Sequence, residues 1–304
     1  MLSVNVDMML NATSTTWTAP VTVSMFDATP TIASLEVSMD VSCGSPCIMD
    51  KAEPWAGVTT LANNQSASGT VTFEDVPAGI TTRPCTGTGP VTCTPPRGAQ
   101  NSFGASFQLF AVATGAEPVQ PFAIWNTDFN VRCDNQVGGN AGCVFPSVAS
   151  DLVLSLSQYG AAAATYAFME QRFIDAWGTE ANPLHRLADP AAQKNNRTAT
   201  CDTPPFVYLD SIVPDDSCDE YPFAATREGG TVGGLCAEIV PQQQADGTWT
   251  FFDASPSNPT TFNEPCVRSH VPESENTDAG GALGRLVQAD RILDRDAFTV
   301  TVVN

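Results

Sequence analysis

Lysine is almost missing from this 304-residue chain: Lys51 and Lys194 are the only two, and His185 and His270 are the only histidines. Lys plus Arg number 13 against 33 acidic residues, giving a formal net charge of −20, and charged residues make up only 15% of the whole. Long-range attraction of the whole chain to a polyanion is therefore excluded. Missing too is any apolar run of the roughly 18 to 20 residues needed to cross a bilayer, so no membrane span is expected. Residues 1–10 lack a positive n-region and alternate like a strand, so they are not read as a signal peptide. That leaves a leader already removed, or a chain cut from a longer protein. The length suffices for one large domain or two ordinary ones with a real core.

Cysteine, by contrast, is plentiful. The ten fall in neighbouring pairs: Cys43 and Cys47, Cys85 and Cys93, Cys133 and Cys143, Cys201 and Cys218, Cys236 and Cys266. Zinc is the alternative use, but it wants paired close knuckles. Only Cys43-Gly44-Ser45-Pro46-Cys47 has such spacing, and no second knuckle or histidine lies near it. Disulfides in an oxidising, extracellular compartment are the reading. Neighbour pairing is an expectation, since sequence does not determine connectivity.

Residues 1–157 read as β-structure. Leu35, Val37, Met39 and Val41 alternate with Glu36, Ser38, Asp40 and Ser42, the period of a half-buried strand. Similar runs occur at 4–10, 70–76, 102–112, 122–131 and 152–157, separated by Pro/Gly/Thr/Ser-rich connections such as 86–98. This pattern predicts an antiparallel, sandwich-like binding or scaffold domain. No acids, histidines or basic residues cluster in it as an active site would require.

The texture changes at Gln158. Residues 159–177 are alanine-rich and end at Gly178, which predicts a helix. Its Tyr166, Phe168, Met169, Phe173, Ile174 and Trp177 read as a packed face. Residues 182–198 read as loop, with His185, Arg186, Lys194 and Arg197 forming a basic stretch for phosphate contact or a salt-bridged surface. Strands are expected at 231–240 and 248–252. A helix is expected over 279–289, capped by Asn276 or Asp278, and its Gly280, Gly281 and Gly284 suit close packing or a ligand. Phe298, Val300 and Val302 mark a terminal strand. Residues 158–304 thus form a small α+β domain, and the chain as a whole is α+β.

Residues 218–230 concentrate the chemistry: Cys218 precedes Asp219 and Glu220, and Arg227 and Glu228 precede Gly229 and Gly230. Acids fixed beside a crosslink can hold a divalent cation or take a proton from water. The plainer reading is a polar turn leading into a strand.

Cys218-Asp219-Glu220-Tyr221-Pro222-Phe223-Ala224 followed by Glu228-Gly229-Gly230 resembles the Asp-Glu-(Trp/Tyr)-Pro segment and Glu-Gly-Gly continuation of the NucA/NucB deoxyribonuclease family. Asn276-Thr277-Asp278-Ala279-Gly280-Gly281 resembles the family's Asn-x-x-Ala-Gly element at a helix start, and the closing hydrophobic strand is a third match. Asn182-Pro183-Leu184-His185-Arg186, Asn196-Arg197 and Arg132-Cys133-Asp134 with Gly142-Cys143-Val144-Phe145 look like the larger, actinobacterial-type members, often modules of secreted or toxin-like proteins. The nuclease resemblance covers about 180–304.

What the resemblance implies is a secreted, metal-dependent, largely sequence-nonspecific endonuclease on DNA, with a ββα-metal-like core. Mg²⁺ or Mn²⁺ is the implied cofactor, DNA the substrate with RNA left open, and a cognate inhibitor protein a partner. Carried over, Asp219 is the first choice for general base, Glu220 orients water or holds the metal, Asn276 is the helix-borne ligand, and Glu228 is a further ligand or stands behind one. Arg227, Arg197, Arg186 and His185 are substrate-binding candidates. A carboxylate at its ordinary pKa is a weak base at pH 7, so it needs burial, metal-bound water or an adjacent acid.

Charge pulls the other way. Four basic and twelve acidic residues precede residue 164, nine and twenty-one follow, so the nuclease-like half is acidic overall. The alternative is a non-enzymatic extracellular binding protein with a degenerate nuclease fold.

Overall fold

The computed structural model describes residues 1–75, 100–116, 120–256 and 258–304. They form two compact units, Met1–Ser147 and Val148–Asn304. The expected pair Cys85 and Cys93 lies outside the described residues.

In the first unit the strands are β1 (Leu2–Val6), β2 (Thr16–Met25), β3 (Ser34–Cys43), β4 (Cys47–Met49), β5 (Thr59–Ala62), β6 (Gln65–Asp75), β7 (Gln100–Phe103), β8 (Ala105–Ala113), β9 (Ala123–Asn126), β10 (Val131–Asp134) and β11 (Gly142–Val144). Two four-stranded antiparallel sheets, ordered β1-β2-β6-β4 and β5-β3-β8-β9, and a three-stranded one, β11-β10-β7, result. Alternation sends Trp17, Ala19, Val21, Val23 and Met25 of β2 and Val37, Met39 and Val41 of β3 into one shared core. That common core is what makes the two larger sheets sandwich-like. Disulfides Cys43–Cys47 and Cys133–Cys143 form as the neighbour rule expects. The runs expected at 102–112 and 122–131 each divide into two strands, β7 with β8 and β9 with β10, and the partners enter different sheets.

The second unit contains β12 (Ser150–Ser155), α1 (Leu156–Arg172), β13 (Leu184–His185), α2 (Pro190–Asp202), β14 (Asp216–Tyr221), β15 (Ala237–Gln243), β16 (Trp249–Asp253), β17 (Val267–Pro272), α3 (Glu273–Ala289) and β18 (Ala297–Val303). Its sheets are ordered β12-β18-β13 and β14-β17-β15-β16. The strand at 150–155, which the sequence pattern assigns to the first domain, lies in this unit because it pairs in parallel with the terminal strand, Leu152 opposite Val300. One core joins Leu152, Leu154, Tyr166, Met169, Tyr221, Val267 and Phe298. Disulfides Cys201–Cys218 and Cys236–Cys266 close this unit's loops.

Three helices depart from the sequence reading. α1 ends at Arg172, five residues before Trp177, and Gly160 inside it has φ 44°. A Cβ there would lie 2.4 Å from Glu275 Oε2, the oxygen that accepts from Ala161 N at 2.6 Å, so glycine is required. α2 occupies a stretch expected to be loop: Asp189 is its N-cap, accepting from Ala191 N at 2.8 Å, and Pro190 fills the first turn. α3 begins at Glu273, not near Ala279, so Asn276 and Asp278 lie inside it and neither is a cap. Glu273 and Glu275 favour the earlier start by placing acids in the first turn.

Candidate active site

β14 is an edge strand, and this governs the site. It pairs antiparallel with β17, Asp219 opposite Ser269 and Glu220 opposite Arg268. Adjacent strand residues point to opposite faces, so Asp219 and Glu220 share one cleft only because the outer edge of β14 is unpaired. α3 follows β17 directly, and both α3 and α1 pack on the β14 side that carries Asp219. α2 lies on the side that carries Glu220. The strand-strand-helix order β14, β17, α3 is thus the frame.

The cleft has a volume of about 350 Å³, and its lining includes Asp219, Glu220, Asn276, Tyr166, Arg197 and Lys194. Two side chains from different helices meet on the strand's free edge: Asn276 Nδ2 and Arg197 Nη2 both donate to the carbonyl of Cys218, at 3.0 and 3.3 Å. Asn276 Nδ2 also donates to Ser217 Oγ at 3.1 Å. With its nitrogen so engaged, the amide leaves its carbonyl oxygen as the group to offer to the cleft.

Both acids are buried, Asp219 to 3% and Glu220 to 6% exposure. Tyr166 Oη donates to Asp219 Oδ1 at 3.1 Å, while Asp219 Oδ2 is buried and has no hydrogen-bond partner among the described residues. Burial first, and the neighbouring Glu220 charge second, push Asp219 up to about 8; the Tyr166 hydrogen bond and Arg197 oppose them. Burial likewise lifts Glu220 to about 7 against the pull of Arg197, whose Nη1 lies 3.3 Å from both carboxylate oxygens. Burial also drives the Tyr166 phenol well above its usual range, which keeps it a neutral donor.

Asp219, Glu220, Asn276 and Arg197 are therefore brought together. The other sequence candidates are not. Glu228 gives its Oε1 to the His185 ring Nδ1 at 2.8 Å and its Oε2 to the His185 backbone N–H at 2.9 Å. Arg227 pairs with Asp294, and Arg186 donates to the Ile292 carbonyl. None of Glu228, His185, Arg227 and Arg186 is among the residues that line the cleft.

Several polar residues give no functional signal in the sequence. Tyr166 reads there as a packing residue, and it does pack, stacked on Tyr221 at 4.8 Å. Asp216 is buried in β14 and meets His270 Nδ1 at 2.7 Å. His270 Nε2 lies 3.3 Å from Glu238, which also pairs with Arg268. This chain runs across the same face as Glu220, because Cys218, Glu220, Arg268 and His270 share one parity of the β14–β17 register.

The donor types at the cleft decide whether they would suit a divalent cation. Cys201, Cys218 and Glu220 approach one another closely enough to suggest a metal triad, but both cysteines are committed to a disulfide and supply no thiolate. What remains is an all-oxygen set, Glu220 and the carbonyl of Asn276, with Asp219 beside it in the cleft. Hard cations such as Mg²⁺ and Mn²⁺ bind through one or two carboxylates and keep several waters, so this donor set fits them.

Fold and site together define an α+β unit with a cleft lined by two buried carboxyl groups and two cationic side chains, Arg197 and Lys194. Residues 176–249 match the family model for the deoxyribonuclease NucA/NucB, a segment that includes Asp219 and Glu220 and stops short of Asn276. The match, about a quarter of the chain, points to a deoxyribonuclease and so to a nuclease hydrolase with DNA as substrate. No curated protein matches the chain. Among solved structures it is similar to native alpha-2-macroglobulin from Escherichia coli, domain MG7 to the C-terminus, at 8% identity and TM-score 0.25, covering 43% of this chain and 16% of that one. It is also similar to the N-terminal domain of PorA at 6% identity and TM-score 0.24, covering 41% of this chain and 93% of that one. Likenesses this weak bear on neither fold nor function. Among the described residues no helix is long and apolar enough to cross a membrane.

Proposed function

We propose that the second unit is a metal-dependent, largely sequence-nonspecific endonuclease that hydrolyses phosphodiester bonds of DNA. The observation that carries this reading is Asp219. It is a buried carboxylate with one oxygen fixed and the other unpartnered, in a cleft with Asn276 and Arg197, inside the segment matched to a deoxyribonuclease.

Glu220 and the Asn276 carbonyl oxygen are the groups that would hold Mg²⁺ or Mn²⁺. Bound there, such an ion supplies charge neutralisation for the developing phosphorane and the leaving oxygen. Asp219 Oδ2 accepts the proton of the attacking water. Its raised pKa means that Asp219 ionises readily only with positive charge beside it, so its basicity is coupled to occupancy of the cleft. Arg197, with its side chain 53% exposed, and Lys194 present cationic groups at the cleft to a backbone phosphate. They sort local charge against the net −20. Phe223 and Leu283 give the cleft apolar wall. In this reading Glu228 braces His185 and does not ligate, and Arg186, Arg227 and His185 meet flanking DNA outside the cleft.

Four disulfides among the described residues suit an oxidising, extracellular site of action. An exported toxin or effector, with the first unit for delivery or attachment and a cognate inhibitor in the producing cell, is consistent with that location. The net charge, together with Arg197 lying against Glu220, favours a second reading, an extracellular binding protein that keeps the nuclease frame without activity. Plasmid degradation with Mg²⁺ or Mn²⁺, repeated with EDTA and with Asp219→Ala, separates the two. Cleavage abolished by both treatments is expected; cleavage indifferent to both removes the site assignment, and no cleavage at all leaves the binding reading.

A further inference from the structure

We infer that Tyr166 is a positioning residue for the Asp219 carboxylate, holding Oδ1 through its hydroxyl and so fixing the torsion that leaves Oδ2 as the free oxygen. The inference rests on the proposed nuclease reading and adds a residue that neither the acidic motif nor the family match, which begins at residue 176, contains.

The geometry is specific. Tyr166 is 1% exposed, and its Oη–Oδ1 contact of 3.1 Å is a single directed bond from α1 to β14. The ring cannot swing away. It stacks on Tyr221 at 4.8 Å and meets Phe223 edge-on at 4.9 Å. The neighbouring Thr165 lends the carboxylate nothing: its Oγ1 donates to the Ala161 carbonyl at 2.9 Å and lies 2.8 Å from Ser269 Oγ. A carboxylate on an edge strand has a free torsion about its terminal bond and two equivalent oxygens. Here one oxygen is given a permanent donor and the other is left without one, so the torsion is set and the oxygens are no longer equivalent.

If Tyr166 served packing alone, its ring would suffice and its hydroxyl would be dispensable. Tyr166→Phe keeps both ring contacts and removes only the donor. Expected for Tyr166→Phe is a fall in kcat of about 10- to 100-fold, the scale seen when a group that orients a working side chain is lost. KM for DNA should stay within about twofold, because the Tyr166 side chain is buried and its hydroxyl is spent on Asp219 Oδ1. Thr165→Val is the structural control. It removes a buried hydroxyl from the same helix, so it should lower the thermal midpoint and leave kcat unchanged.

The experiment is steady-state cleavage of a fluorescent DNA duplex by the full chain with Mn²⁺, run for wild type, Tyr166→Phe, Thr165→Val and Asp219→Ala, with thermal midpoints measured alongside. A folded Tyr166→Phe with depressed kcat and unchanged KM supports the inference. Wild-type kcat in that variant overturns it, as does an equal loss in Thr165→Val. If wild type itself cleaves nothing, the nuclease reading fails first and this inference falls with it. If wild type cleaves and Asp219→Ala cleaves equally well, Asp219 is not the acid being positioned, and the inference fails while the nuclease reading stands.

Discussion

Replacing Asp219 by asparagine should make the metal-free protein more stable at pH 8 and leave it nearly unchanged at pH 4. Asp219 titrates at about 8 in the folded chain, because burial and the adjacent Glu220 disfavour its charge. In the unfolded chain it returns to the ordinary aspartate value near 4. A folded pKa above the unfolded one means that the native state holds its proton longer. The stabilising contribution is complete below about pH 4 and is lost as pH rises from there through about 8. At about 1.4 kcal/mol for each pH unit, the full loss is of the order of 5 kcal/mol. Asparagine has no proton to lose, and its carbonyl can still accept from Tyr166, so the variant escapes the decline. Allowing for water entry and for relaxation of Glu220, a gain of about 1 to 3 kcal/mol at pH 8 is the expected residue of that figure. Guanidinium denaturation with EDTA and intact disulfides, for both proteins at pH 4, 6 and 8, measures it. A variant no more stable than wild type at pH 8, or a difference that does not grow with pH, would refute the claim that Asp219 is held in strained burial.

Two further perturbations probe the surroundings. Glu170, lifted to about 7 chiefly by burial while accepting from Tyr221 Oη at 3.1 Å, has the same sign of pH dependence but does not line the cleft. Glu170→Gln should therefore raise stability above pH 7 without altering DNA cleavage, a pairing that thermal midpoints and plasmid assays check together. Gly280 lines the cleft, and the space its Cβ would take is open. Gly280→Ala should keep activity and add about 0.5 to 1 kcal/mol of helix stability, whereas Gly280→Trp should fill the cleft and raise KM for DNA at least tenfold while the fold survives.

The acidic motif is legible because its signal is local. Asp219 and Glu220 are adjacent, a cysteine precedes them, and one tethered segment contains them all. The neighbour rule for cysteines holds for the four described pairs because each closes a short loop or joins nearby segments. α2 is not legible although Asp189-Pro190 is a strong start signal, since Asn195, Asn196 and Thr198 argue for loop and tertiary packing prevails. Asn276 is legible as a candidate ligand but not as a residue of the first helical turn, because Glu273 and Glu275 open the helix six residues before the expected Ala279.

What the sequence could not reveal is pairing at a distance. That β14 is an edge strand follows from sheet order, and only then can two adjacent acids face one cleft. Tyr166 and Asp219 are 53 residues apart, so a tyrosine in an apolar helical stripe gives no sign of its hydroxyl's partner. The same holds for His270 and Asp216, 54 residues apart and paired only through the β14–β17 register. Glu228 looks equivalent to the other acids in sequence; its commitment to His185 depends on β13 passing beside it.

The proposed activity depends on Glu220 and Asn276 holding a divalent cation beside Asp219. Crystals of the full chain soaked in Mn²⁺ and measured for anomalous scattering test it most directly. Expected is one strong peak in the cleft, about 2.0 to 2.3 Å from the Asn276 carbonyl oxygen and a Glu220 oxygen, absent from Asn276→Ala crystals. A protein that degrades DNA with Mn²⁺ yet shows its peak elsewhere, or none in this cleft, contradicts it.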